Sequence, residues 1–258
     1  MMNIAIIGSG ISGLTCAYLL SGCYKITLFE ANNYLGGHTN TIDIDLEGSS
    51  YAVDTGFIVF NEKTYPNFIK LLEQLKVKRQ KTTMGFSVKS IENNLEYAGN
   101  SLNSIFAQKS NSLKPSFFKM LYDIMRFNKN AKNDLLTLNV DISLESYLKK
   151  YKYSKEFINY YIIPMGAAIW STKPTSIIKF SALFFIRFFY NHDLLQINNR
   201  SNWWIIKGGS FQYINQMVKS FKSRIRLNTP VNQIQRLSGK INISSGKNNQ
   251  VELFDAVI

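Results

Sequence analysis

Histidine and cysteine are scarce in this chain. Its 258 residues hold two of each, His38 and His192, Cys16 and Cys23. Neither histidine has a metal-ligand partner at helical spacing, there is no HExxH motif, and the cysteines form no CxxC pair. Zinc chemistry therefore has no ligand set. No serine sits in a nucleophile elbow, which argues against a hydrolase. Acidic residues are few beside basic ones, 17 against 30, leaving a net charge of +13. Such an excess attracts phosphates, nucleic acids and anionic membranes. Here the lysines are scattered among asparagines without a basic block, and no nucleic-acid-binding motif appears, so no nucleic-acid partner is expected.

The two cysteines read as reduced thiols, which points to a cytoplasmic protein. Leu19-Leu20-Ser21-Gly22-Cys23 is similar to a bacterial lipoprotein cleavage site. The preceding segment has no basic residue, however, and glycines break its apolar run, so export is not expected.

What is present is concentrated between Ile4 and Gly37. An apolar run, Ile4-Ala5-Ile6-Ile7, leads into Gly8-Ser9-Gly10-Ile11-Ser12-Gly13, then an amphipathic stretch to Leu20. A second apolar run, Ile26 to Phe29, ends at Glu30. The pattern is strand, glycine turn, helix, strand, acid, the fingerprint of dinucleotide binding. Gly8 allows the tight turn, Gly10 lets a pyrophosphate approach the backbone, and Gly13 permits close helix–strand packing. The helix start offers N–H groups and a positive dipole end to phosphates. Glu30, 20 residues after Gly10, is placed to accept hydrogen bonds from ribose hydroxyls. An acid there makes NADP the poorer ligand. The pair Gly36-Gly37 implies another close backbone approach.

Further along, Ile42, Ile44 and Leu46 alternate with polar residues and Tyr51-Ala52-Val53 returns, a hairpin. Pro66 starts a helix, and Met84 to Lys89 and Leu95 to Ala98 read as strands. Helical signals dominate to about residue 195: Pro115 opens a helix, Ser143 and Ser154 are N-caps, and Pro164 stops a helix. Gly166-Ala167-Ala168 before Trp170 reads as close core packing, with pocket lining as the alternative. Thr175 to Tyr190 is rich in phenylalanine but too short, and too interrupted by Lys179 and Arg187, to span a bilayer. It reads either as a buried helix or as a hydrophobic substrate channel or membrane-facing entrance. Short strands follow a helix ending near Phe221.

These segments together resemble the superfamily of flavin-containing amine oxidases, protoporphyrinogen oxidases and phytoene desaturases. The resemblance is carried by the Gly8–Gly13 turn, Leu35-Gly36-Gly37-His38-Thr39-Asn40-Thr41, Val53-Asp54-Thr55-Gly56-Phe57-Ile58-Val59-Phe60-Asn61, Pro164 to Ser171, and Lys207-Gly208-Gly209-Ser210. Within it, the chain is most similar to bacterial NAD/FAD-binding proteins with an amine oxidase domain and to the N-terminal part of plant cyclopropane fatty acid synthases.

The resemblance implies an α/β fold, a Rossmann-like FAD-binding domain (1–62 and 205–258) with an inserted mixed α+β substrate domain (63–204). It implies FAD as cofactor, held by Gly8, Gly10, Ser12, Gly13, Glu30, Ala31, Gly36, Gly37, His38, Gly56, Phe57 and Val231. Gly56 is expected at the flavin, Phe57 either there or in an ordinary buried strand, and Val231 at the adenine through its backbone. His38 stands where the superfamily usually has arginine, so an arginine–phosphate contact does not carry over. Lys207 is the one lysine to compare with those near flavins, but a surface position before Gly208-Gly209 explains it better, and no catalytic residue is assigned.

Relatives continue into a segment that completes the FAD site, so the chain is expected to be a fragment. The implied activity is an FAD-dependent oxidoreductase acting on a small hydrophobic, lipid-like substrate. The alternatives are a flavoenzyme without net redox, such as a mutase or isomerase, and a non-enzymatic flavoprotein partner of a lipid-modifying enzyme. Contact with such an enzyme, or with a membrane surface, is the expected macromolecular partnership.

Overall fold

A computed structural model describes residues 1–99, 101–137, 142–196 and 202–258. The chain forms two compact units, Met1–Thr82 with Trp203–Ile258, and Thr83–Asn202. The first unit thus reaches past residue 62, taking in the helix Pro66–Gln74 and the strand Arg79–Thr82.

At the centre of the first unit is a four-stranded parallel sheet. Asn3–Ile7 lies between Lys25–Phe29 and Ala256–Val257, and Ile225–Arg226 pairs with the outer edge of Lys25–Phe29. Ile4, Ala5, Ile6, Leu28 and Phe29 are buried, as near-continuous apolar runs in a doubly covered parallel sheet should be. The helix Ile11–Leu20 crosses between the first two strands and buries Leu14 and Ala17. This is the expected Rossmann-like α/β arrangement.

An antiparallel sheet, Val231–Leu237, Lys240–Ser245 and Gln250–Phe254, packs Ile243 and Phe254 against Ala5 and Phe29. The expected hairpin forms from Thr41–Leu46 and Ser49–Asp54. Its register sets Ile42 opposite Val53 and Ile44 opposite Tyr51, and all four side chains are exposed. A further three-stranded sheet, absent from the sequence reading in part, pairs Trp203–Ile206 with Phe60–Asn61 and Arg79–Thr82.

The second unit is mainly helical, with one hairpin of Ser87–Ser90 and Leu95–Ala98. Its core is aromatic, with Phe127, Tyr147, Phe157, Phe185 and Phe189 fully buried. The helix Pro115–Thr137 runs through it and carries two buried acids. Asp134 accepts hydrogen bonds from the Tyr147 hydroxyl (2.6 Å) and the Tyr151 hydroxyl (2.7 Å). Asp123 accepts from the Ser154 N–H at 2.8 Å and pairs with Arg126, whose guanidinium lies 4.3 Å from the Tyr153 ring centre. Ser143 and Ser154 cap helices as expected, accepting from the N–H groups of Ser146 and Phe157. Gly166 is buried, and a Cβ there would meet Ile177 at 2.8 Å, so this glycine serves core packing, whereas Ala167 is half-buried and Ala168 exposed.

Pro164 does not stop its helix. Lys155–Phe157 widens into a π turn over Ile158–Ile162 and resumes as Ile163–Trp170. Proline offers no N–H to the Tyr160 carbonyl, and its ring crowds that turn. The wider turn accommodates the ring, and the Tyr97 hydroxyl donates to the freed Tyr160 carbonyl at 2.7 Å. The aromatic segment 175–190 is two short helices, Pro174–Ile177 and Ala182–Asn191, separated by the Ser181 cap. It is neither wholly buried nor wholly exposed. Among the described residues no helix is long and apolar enough to cross a membrane.

Candidate dinucleotide site

The glycine turn lies where the first parallel strand meets its helix. Gly8 adopts a left-handed φ of +90° and its N–H donates to the Phe29 carbonyl at 2.8 Å. A Cβ on Gly13 would fall 2.1 Å from the Gly8 carbonyl oxygen, so this glycine is required by backbone packing against backbone. Gly10 differs. It caps the helix with an ordinary φ of −64°, and a Cβ there would meet nothing within 4 Å. No side chain caps the helix start, and no acid lies in its first turn. Ser12 is exposed one residue inside. The result is an open space beside a helix N-terminus lacking side-chain capping, which is the environment a phosphate requires.

Glu30 is buried and its two carboxylate oxygens accept four hydrogen bonds. Ser9 donates from its N–H (2.8 Å) and hydroxyl (2.5 Å), Asn32 from its N–H (2.8 Å) and side-chain amide (3.0 Å). Burial raises the carboxyl's pKa, but these donors outweigh it and hold the group below its ordinary value. The acid therefore locks the glycine turn to the end of the second strand. Four bonds also fill the acceptor capacity of a carboxylate. The sequence reading placed ribose hydroxyls there and did not foresee Ser9 and Asn32 as partners. Ala31 is exposed beside it.

The second glycine pair packs onto the first turn. Gly36 donates to the Ser9 carbonyl at 2.9 Å and bridges to Gly10, while a Cβ on Gly37 would sit 3.2 Å from the Gly10 Cα. His38 is exposed, and its carbonyl accepts the Phe57 N–H at 3.0 Å. A Cβ on Gly56 would lie 2.0 Å from that same carbonyl oxygen. The close approaches at Gly37 and Gly56 are thus to protein backbone. Phe57 is half-buried, against Phe60 and Phe68 at centroid distances of 6.4 and 5.4 Å. Val231 begins its strand beside a bulge, partly buried and paired with Ser245.

The sequence reading missed the polar node behind these loops. Asp54 accepts from the Ser210 N–H (2.7 Å), the Ser210 hydroxyl (2.9 Å) and the Thr41 hydroxyl (2.6 Å). The single Ser210 hydroxyl proton is shared between Asp54 and the Phe57 carbonyl, 2.8 Å away, and Thr39 bonds the Tyr213 hydroxyl. An aspartate beside Thr55-Gly56 and a serine after Gly208-Gly209 were visible in the sequence, but nothing local paired residues 156 positions apart. Lys207 is exposed, its N–H bonded to the Lys78 carbonyl at 3.0 Å. Two cavities, of about 200 Å³ beside Phe117 and Tyr160 and about 380 Å³ beside Thr229 and Ser245, are lined by none of residues 8–13.

A family model described as flavin containing amine oxidoreductase matches residues 11–258. No curated protein matches the chain. Among solved structures, cyclohexylamine oxidase from Brevibacterium oxydans IH-35A is 17% identical with a TM-score of 0.70, over 99% of this chain and 57% of that one. Putrescine oxidase, wild type bound to putrescine, is 20% identical with a TM-score of 0.66 over the same shares. An oxidoreductase from Methanosarcina mazei is 16% identical with a TM-score of 0.59, over 99% of this chain and 58% of that one. The chain thus spans less than two thirds of these structures, and at such identities the likeness is one of fold.

Proposed function

The chain belongs to the flavin-containing amine oxidoreductase family, and from that premise we propose that the whole protein is an FAD-dependent oxidoreductase acting on a small hydrophobic, lipid-like substrate. The observation that carries the reading is the open space at Gly10 beside a helix start with no capping side chain. Gly8 and Gly13 shape that turn, and Gly10, Ser12 and the first N–H groups of the helix take the pyrophosphate. Glu30 and Ala31 face the adenosine ribose. Its hydroxyls replace the two rotatable donors on Glu30, the Ser9 hydroxyl and the Asn32 amide, while the two backbone donors stay. Val231 offers backbone groups to the adenine at its bulge. Gly36, Gly37, His38, Gly56 and Phe57 form the wall that continues from the turn toward the flavin.

FAD, when bound, accepts electrons from the substrate. The residues of this chain position it and keep water from it. In this reading the Met1–Thr82 and Trp203–Ile258 unit holds the cofactor, the Thr83–Asn202 unit holds substrate, and the protein works in the cytoplasm.

The test is the full-length protein's visible spectrum and turnover. Flavin absorption that denaturation releases into the filtrate is expected, as is stoichiometric consumption of an electron acceptor with a hydrophobic amine or lipid. Colourless protein that FAD cannot reconstitute overturns the cofactor assignment. Substrate conversion without acceptor consumption overturns the oxidoreductase assignment in favour of an isomerase.

A further inference from the structure

The outer side of the helix Ala182–Asn191 carries a surface that the cofactor reading does not use. Ala182, Phe185, Ile186 and Phe189 are buried, whereas Phe184 is 52% and Tyr190 45% exposed. Trp170 lies against Phe180, Phe184 and Phe188 at centroid distances of 5.3, 5.6 and 4.8 Å, and Phe188 stacks on His192 at 4.1 Å. These rings form one ridge, part in the core and part in water. The Ser181 hydroxyl fixes the helix start by accepting the Phe184 N–H at 3.1 Å.

Lys173, Lys179 and Arg187 are exposed along the same segment. No aspartate or glutamate stands between Glu156 and Asp193. The acid whose backbone reaches this segment, Glu145, donates its N–H to the Ile178 carbonyl and pairs its carboxylate with Lys149 at 2.6 Å. The ridge is therefore aromatic, basic and free of acids in its own sequence.

Rings of this kind settle at the boundary between lipid headgroups and acyl chains, and neighbouring Lys and Arg side chains reach the headgroup phosphates. We propose that this ridge seats the protein on an anionic lipid surface, with Ala182–Asn191 lying in the interfacial plane. A short helix with one buried face cannot span a bilayer but can rest on it. The basic, acid-free rim matches the negative charge of such a surface, which favours lipid over a lipid-modifying enzyme as the occupant. The inference stands on the second unit alone and does not depend on flavin.

The experiment is co-sedimentation of the full-length protein with vesicles of equimolar phosphatidylglycerol and phosphatidylcholine, and with phosphatidylcholine alone. Binding to the anionic vesicles that weakens with salt is expected. Phe184→Ser should lower that affinity about tenfold, because an exposed ring no longer enters the interface. The double variant Lys179→Glu with Arg187→Glu should lower it by about tenfold or more and abolish the preference for phosphatidylglycerol. Lys179 and Arg187 are exposed, so thermal unfolding of their double variant should match wild type; Phe184→Ser also gives up the contact with Trp170, so its binding is compared at a temperature where both proteins are folded. Failure of wild type to bind anionic vesicles overturns the proposal, as does equal binding by wild type and Phe184→Ser. Capture of a protein through Phe184 while the vesicles stay unbound also overturns it, in favour of a protein partner.

Discussion

The two units of this molecule are held by different kinds of contact. Around the glycine turn, backbone meets backbone: Gly13 against Gly8, Gly37 against Gly10, Gly56 against the His38 carbonyl. In the helical unit, rings meet rings, with Phe127 in contact with Tyr147, Tyr153, Phe157 and Phe189. Close backbone approach admits one residue type, so position and sequence are tightly coupled. An aromatic core is satisfied by volume and admits many sequences. Function is consequently far easier to read from the first unit than from the second.

Substitutions within one motif test the first half of that contrast. Within the turn Gly13→Ala should be far more damaging than Gly10→Ala, costing about 3 kcal/mol or more, because the new Cβ meets a backbone oxygen that cannot swing away. Gly10→Ala, three residues earlier, should change stability by less than about 1 kcal/mol, since its φ is ordinary and its surroundings open. Denaturant unfolding of both variants measures this directly. Equal stabilities would dissolve the distinction between a glycine packed against backbone and one beside open space.

Among the polar contacts of the helical unit, the one at Asp134 joins two tyrosine hydroxyls, and breaking it comes next. Asp134→Ala leaves the Tyr147 and Tyr151 hydroxyls without their acceptor and should cost about 2–3 kcal/mol. A cost below about 0.5 kcal/mol, at the level of a surface change, would show that the rings alone hold this unit.

Glu30 ranks third. Its carboxyl has a lowered pKa in the fold, so it adds stability above its ordinary value near 4.5, and that stability is lost as the pH falls through the folded value. Glu30→Gln should remove this acid dependence and cost on the order of 1–2 kcal/mol at neutral pH. Unfolding curves across the acid range for both proteins decide it. An unchanged acid limb would mean that the bonds from Ser9 and Asn32 do not hold in solution.

The smallest effect is expected at Tyr151. Its bond to Asp134, helped by burial, pushes its hydroxyl up to about 12, so its contribution is complete below pH 10 and fades as the pH rises toward that value. Tyr151→Phe should cost about 1 kcal/mol and flatten the alkaline limb of stability.

The parallel sheet and its turn were legible because Gly8, Gly10, Gly13 and Glu30 each answer to a separate geometric demand. The hairpin was legible from the alternation of Ile42, Ile44 and Leu46. Other features depended on distant partners. Pro164 reads locally as a stop, and only the Tyr97 hydroxyl, on a separate hairpin, shows where the freed carbonyl finds its donor. The strand Arg79–Thr82 has no apolar alternation at all. It is held by pairing with Trp203–Ile206 and by the Arg79 guanidinium 4.5 Å from the Trp204 ring centre. Glu30 stands at the end of the second strand, and its bonds to Ser9 and Asn32 follow from the tightness of the turn, which spacing alone does not convey.

The central claim is that the space beside Gly10 belongs to a dinucleotide phosphate. FAD titration of the full-length protein and its Gly10→Val variant, beside thermal unfolding of both apo forms, tests it most directly. The account predicts similar unfolding temperatures and FAD binding in wild type only. A folded Gly10→Val protein that binds FAD as tightly as wild type would contradict it.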